Sequence, residues 1–118
     1  MTYALSLPGA IEALRARVRP MPLFVSEWVS FPGGEAYIRY RDLPSPYLVL
    51  SNIIAQRPGA GWFTALTHSG TFSDLPPGLT VEIEGILNPS LEAWALRKGF
   101  IRIPNTSPPC YKKVLPTP

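Results

Sequence analysis

The sequence predicts an α/β fold: a mixed, mainly antiparallel sheet with a central parallel strand-loop-helix-strand unit and flanking helices. Three observations carry this expectation. Two runs with alternating side chains, Leu23 to Phe31 and Ala36 to Arg41, flank Pro32-Gly33-Gly34, which reads as the turn of an antiparallel hairpin. Tyr47-Leu48-Val49-Leu50 is nearly all apolar, as a strand buried on both faces should be. A glycine loop, Gln56-Arg57-Pro58-Gly59-Ala60-Gly61, then separates that strand (Tyr47 to Ile54) from a short helical run (Trp62 to Ser69) and a further strand (Thr80 to Ile86).

Taken in order, the first element is a helix over Ile11 to Val18. Ile11, Leu14 and Val18 share one face, Pro8 and Gly9 mark its start, and Pro20 marks its end. In the first strand Phe24, Ser26, Trp28 and Ser30 oppose Val25, Glu27, Val29 and Phe31. In the second, Tyr37, Arg39 and Arg41 oppose Ala36, Ile38 and Tyr40. Leu75-Pro76-Pro77-Gly78 is a loop. Thr80 to Ile86 sets Glu82 and Glu84 against Val81 and Ile83. A helix from Ser90 to Lys98 buries Leu91, Trp94 and Leu96, with Ser90 or Asn88 as its cap and Gly99 as its stop. Phe100 to Ile103 and Tyr111 to Val114 form a last hairpin. The unit that crosses from one parallel strand to the next is expected to be right-handed.

Composition narrows the function. The 118 residues fit a single domain with one core, spanning 1–118 with a frayed tail at 115–118. No apolar run approaches the ~20 residues that span a membrane. The single cysteine, Cys110, excludes an internal disulfide and a multi-cysteine zinc site, so the expected setting is a reducing, cytoplasmic one. Cys110 follows two prolines and reads as structural. The net charge of +3 is spread along the chain, with no dense basic patch interleaved with aromatics, which argues against nucleic acid as the partner. One histidine, His68, and one cysteine do not make a metal site. The fifteen prolines fall between apolar runs and describe stiff loops.

The glycine loop is the most informative local feature. Two glycines let the backbone approach an anion, because no Cβ stands in the way. The first turn of a helix offers unpaired N–H groups and the positive end of its dipole. An ordinary strand-to-helix turn has the same composition, so the loop gains meaning only from its context. No Lys-Ser/Thr follows Gly61, so the Walker pattern is missing, and the dinucleotide fingerprint is missing too.

That context is a second block, Asn88-Pro89-Ser90-Leu91-Glu92-Ala93-Trp94-Ala95-Leu96-Arg97-Lys98-Gly99-Phe100. From Tyr47 to Val114 the chain resembles the GNAT superfamily of N-acetyltransferases. The family signature is Gln/Arg-x-x-Gly-x-Gly/Ala before a helix, then a strand, an Asn, a helix and Gly-Phe. Gln56, Gly59 and Gly61 match the first block, and Asn88 with Gly99-Phe100 matches the second. The resemblance implies acetyl-CoA or another acyl-CoA as cofactor, and two parallel central strands that splay apart to admit the pantetheine arm. It places the pyrophosphate on the N–H groups of Gly59, Ala60, Gly61 and Trp62, with Arg57 adding charge. The edge at Asn52, Ile53 and Ile54 would pair with pantetheine amides and polarise the thioester carbonyl. Asn88 would bond the arm or tie the strands, or else cap the helix.

Transfer needs a deprotonated amine. Glu84 and Glu82 are the carboxylates nearest the expected cleft, and Glu27 is a third candidate; each is also readable as a solvated strand carboxylate. Many family members carry a general-acid tyrosine four residues before the glycine of Gly-Phe; here that position is Ala95. One helix stands near the N-terminus where the family often has two. Two function classes remain open: an acyl-CoA-dependent N-acyltransferase acting on an amine of a protein or small molecule, and a non-catalytic GNAT-like binding or inhibitor module acting on a protein partner. A phosphate-binding domain of another fold is the third reading. An exposed edge strand would permit a homodimer.

Overall fold

The computed structural model describes residues 2–17, 24–56, 75–86 and 89–115. Its elements are β1 (Thr2–Tyr3), α1 (Leu7–Arg15), β2 (Val25–Phe31), β3 (Gly34–Arg41), β4 (Tyr47–Ala55), β5 (Thr80–Ile83), α2 (Pro89–Arg97), β6 (Ile101–Arg102) and β7 (Tyr111–Val114). The strands form a seven-stranded mixed sheet in the order β1-β2-β3-β4-β5-β7-β6. β4 and β5 are parallel, as expected, and β2-β3-β4 and β5-β7-β6 are antiparallel. One parallel pair was not expected: β1 lies beside β2, with Thr2 opposite Val29. Two residues are too few for alternation to register in a sequence.

α1 starts earlier than its periodicity suggested. Pro8 falls in the first turn, where its missing N–H costs nothing. Leu7, Ala10, Ile11 and Leu14 form the buried stripe, at i, i+3, i+4 and i+7. Val18, counted on that face in the sequence, lies outside the described residues. The β2–β3 hairpin closes through Pro32-Gly33, with Phe31 opposite Gly34 and Gly33 at φ 91°. Proline before a left-handed glycine is the type II turn pattern. Gly34, read as part of the turn, belongs to β3.

One face of the sheet carries the core. Val29, Phe31, Ile38, Tyr40, Leu48, Leu50, Val81 and Ile83 are buried there with the α1 stripe and with Trp94 and Ala95 of α2. α2 is pinned to the same face by two bonds: Tyr111 Oη donates to Glu92 Oε2 at 2.9 Å, and Lys113 Nζ donates to the Lys98 carbonyl at 2.6 Å. The expectation that Leu96 is buried is corrected: it is 54% exposed, and Ala95 is fully buried instead. Leu91, Trp94 and Ala95 stand at i, i+3 and i+4, whereas Leu96, two residues past Trp94, points round the helix. Gly99 ends α2 as expected. With φ 85° it lets Phe100 N–H reach the Ala95 carbonyl (3.0 Å) and its own N–H reach that of Leu96 (3.2 Å), a Schellman closure. No helix among the described residues is long and apolar enough to cross a membrane.

Candidate functional site

β4 and β5 run together only from Tyr47/Thr80 to Leu50/Ile83, and a last bond joins Glu84 N–H to the Leu50 carbonyl at 2.9 Å. Beyond it β4 continues to Ala55, while β5 stops at Ile83. β5 is thus shorter than the expected run to Ile86, and the two strands part. Each has a left-handed residue just past the last shared bond: Asn52 at φ 48° and Gly85 at φ 67°.

On β4, register shifts from Tyr37↔Ser51 to Glu35↔Ile54, so that Asn52 and Ile53 together face Ala36. This is a β-bulge, which bends and twists its strand, and asparagine is among the few residues that tolerate φ > 0. On β5, Gly85 turns the chain toward the β6–β7 loop. Gly85 N–H is donated to Cys110 Sγ at 3.3 Å and Ile86 N–H to the Pro109 carbonyl at 2.8 Å. That loop is itself braced: Thr106 Oγ1 donates to the Ile103 carbonyl (2.8 Å) and accepts from Cys110 N–H (3.0 Å). Cys110 thus has a structural contact, as the sequence suggested: its thiol accepts from the turn that follows β5.

Past the parting, no described strand pairs with β4 on its β5 side. Gln56 N–H bonds the Gly33 carbonyl at 2.8 Å, so in the 35↔54 register Ile54 and Gln56 face β3. Alternation turns the N–H groups of Ile53 and Ala55 into the gap. The gap's turn can be tested at Gly85. Among the described residues an added Cβ would meet nothing within 4 Å, so the cost of Gly85→Ala is taken as conformational. It should destabilise the protein by about 1–2 kcal/mol in chemical denaturation; a change inside experimental error would show that β5 does not need the left-handed turn.

Of the sequence-predicted carboxylates, Glu82 and Glu84 lie on the sheet face opposite the helices. Glu84 accepts from Arg39 Nη2 at 2.5 Å and Glu82 Oε1 accepts from Tyr47 Oη at 2.5 Å. The pair is partly wet, with 35% of the Arg39 side chain and 42% of the Glu84 side chain exposed. Burial, and then Glu82, push the Tyr47 phenol up to about 12, so it stays a neutral donor. Glu27 is on the helix face, bonded by Arg17, and its carboxyl is held below the usual range, chiefly by a hydrogen bond from Thr2. It is not at the gap. Alongside, the Trp28 and Tyr37 rings pack edge to face at 5.5 Å, and Arg41 lies against both the Phe24 and the Tyr47 ring.

Of the expected cofactor-binding residues, Ile53 and Ile54 flank the gap, Ile53 with its N–H toward it and Ile54 with its backbone toward β3. Gln56 closes the ladder to β3. Arg57, Gly59, Ala60, Gly61, Trp62 and Asn88 lie outside the described residues, as do His68 and the expected helix from Trp62 to Ser69. Sequence reasoning did not assign Arg39, Tyr47 or Cys110 to the site. An asparagine amid the apolar run of β4 was a signal for the bulge; nothing local predicts that the Cys110 thiol reaches Gly85. No family model, curated protein or solved structure matches the chain.

Proposed function

We propose that this chain is an acyl-CoA-dependent N-acyltransferase of the GNAT type. The observation that carries the reading is the gap between parallel strands β4 and β5, opened by a bulge on one side and a left-handed glycine on the other, immediately before the Gln56 to Gly61 loop. An acyl thioester would supply the activated carbonyl. The Ile53 and Ala55 N–H groups suit the amides of an extended arm, which would add to β4 as a strand adds to a sheet edge. Such an N–H also stabilises an oxyanion where it develops. Gly59, Ala60 and Gly61, with Arg57 and Trp62, would take the pyrophosphate, and Asn88 the arm. Glu84, hydrogen-bonded by Arg39, is the group to relieve the acceptor amine of its proton through water; Glu82, engaged by Tyr47, is the alternative.

The test is calorimetric titration with acetyl-CoA and with free coenzyme A, on the native chain and on Gly61→Trp. Saturable binding is expected, weakened at least tenfold by the bulky side chain. No binding at millimolar ligand ends the enzyme reading. One observation favours the second class, a non-catalytic binding or inhibitor module: Ala95, where the resemblance implies a general-acid tyrosine, has no acidic group and is fully buried in the core.

A further inference from the structure

The face opposite the helices ends, away from the gap, in a cluster of Phe24, Arg41 and Tyr47. The Arg41 guanidinium carbon is 5.1 Å from the Phe24 ring centre and 5.0 Å from that of Tyr47. The two rings meet edge to face, with centroids 6.0 Å apart, so the guanidinium rests in the corner they form and its freedom to swing away is restricted. Arg41 Nε is buried without a hydrogen-bond partner. Among the described residues no carboxylate pairs with Arg41, and the acids of this face are committed or distant. Glu84 is bonded by Arg39 and Glu82 by Tyr47, while Glu35 stands at the gap end of β3, opposite Ile54. Arg39, two residues along the same face, displays the chemistry such a fork prefers, since it already holds a carboxylate.

A guanidinium that is held against two rings, half-buried and, among the described residues, uncompensated is a receptor for a planar anion. Its place relative to the gap sets the size of the ligand. Arg41 pairs with Tyr47, and the gap opens after Leu50, a separation of about 10 Å at about 3.3 Å per residue.

We propose that Arg41, held against Phe24 and Tyr47, binds a carboxylate or phosphate on the acceptor while the acceptor's amine reaches the head of the gap. The substrate class is then an acidic amine with its two charged ends about 10 Å apart. The inference rests on the acyltransferase reading for the amine end only; the anion site stands on its own geometry.

The probes are ω-aminooctanoate, octylamine and ω-aminohexyl phosphate, titrated into the native protein while the Arg41 Nε–H resonance is followed by nitrogen-edited NMR. Both acidic amines should shift that resonance saturably and octylamine should not; the tighter of the two identifies the anion. Arg41→Gln should weaken binding at least tenfold, and Arg41→Lys nearly as much, because an ammonium lacks the fork. Equal response to octylamine, or no response to either acid, overturns the proposal without reference to any variant. If acetyl-CoA fails to bind but the acids do, the enzyme reading falls and the anion site remains. If acetyl-CoA binds and the acids do not, the anion site falls alone.

Discussion

Leu50→Ala is expected to destabilise the fold by about 2–5 kcal/mol. Leu50 is fully buried on the helix face, paired with Ile38 on β3 and Ile83 on β5, and its carbonyl accepts the last bond between the parallel strands. Alanine there leaves a void directly beneath the head of the gap, bounded by rigid strands that cannot collapse into it. A domain of this size has a total stability of about 5–15 kcal/mol, so the variant would lose a large share of it. Urea unfolding should give a lower midpoint with an unchanged slope. Leu96→Ala is the control: with Leu96 54% exposed, the change should stay within about 0.5 kcal/mol. A loss below about 1 kcal/mol at Leu50 would mean that the strands are not packed as described.

Alkaline pH should unfold this protein cooperatively. Tyr40 is fully buried and donates to Asp42 Oδ1 at 2.7 Å; Tyr47 donates to Glu82. Burial first, and the neighbouring carboxylates second, raise both phenols above their ordinary value, Tyr47 to about 12 and Tyr40 further. A raised folded-state pKa means that the native protein holds the proton more tightly than the unfolded chain. The stability this represents is complete below about pH 10, the unfolded value, and drains away as pH rises through the folded one. For Tyr47 alone the shift corresponds to about 2 kcal/mol after allowance for its partial exposure. Tyrosinate absorbance and far-ultraviolet circular dichroism, followed together, should show that part of the ionisation coincides with loss of structure. Tyr47→Phe should reduce the pH sensitivity. All five tyrosines ionising near pH 10 with the fold intact would refute this account.

Much of the fold was legible because it is written in periodicity. Alternation assigned the side chains of β2, and those of β3 from Ala36 on, to their faces, and Gly99 before Phe100 marked the end of α2 as a local stereochemical requirement. What was not legible depends on distant contacts. The run Thr80 to Ile86 alternates throughout, yet β5 ends at Ile83, because Gly85 and Ile86 give their N–H groups to the β6–β7 loop more than twenty residues away. Leu96 reads as core by hydrophobicity, but which stripe of α2 is buried depends on where Tyr111 and Lys113 pin the helix. The candidate site divides the same way. Glu82 and Glu84 were placed on one face by their spacing; that Tyr47 and Arg39 hold them arises from side chains meeting across strands.

The two ends of the sheet have a consequence for how other chains can join it. β1 and β6, the outermost strands, are each two residues long, and a short edge offers few free N–H and C=O groups to template an incoming strand. The longer stretch of strand without a described neighbour on one side lies inside the sheet, on β4 past Leu50. Edge-to-edge assembly with other molecules is therefore disfavoured at the rim, and the proposed place for an extended ligand is sheltered between two strands of the same molecule.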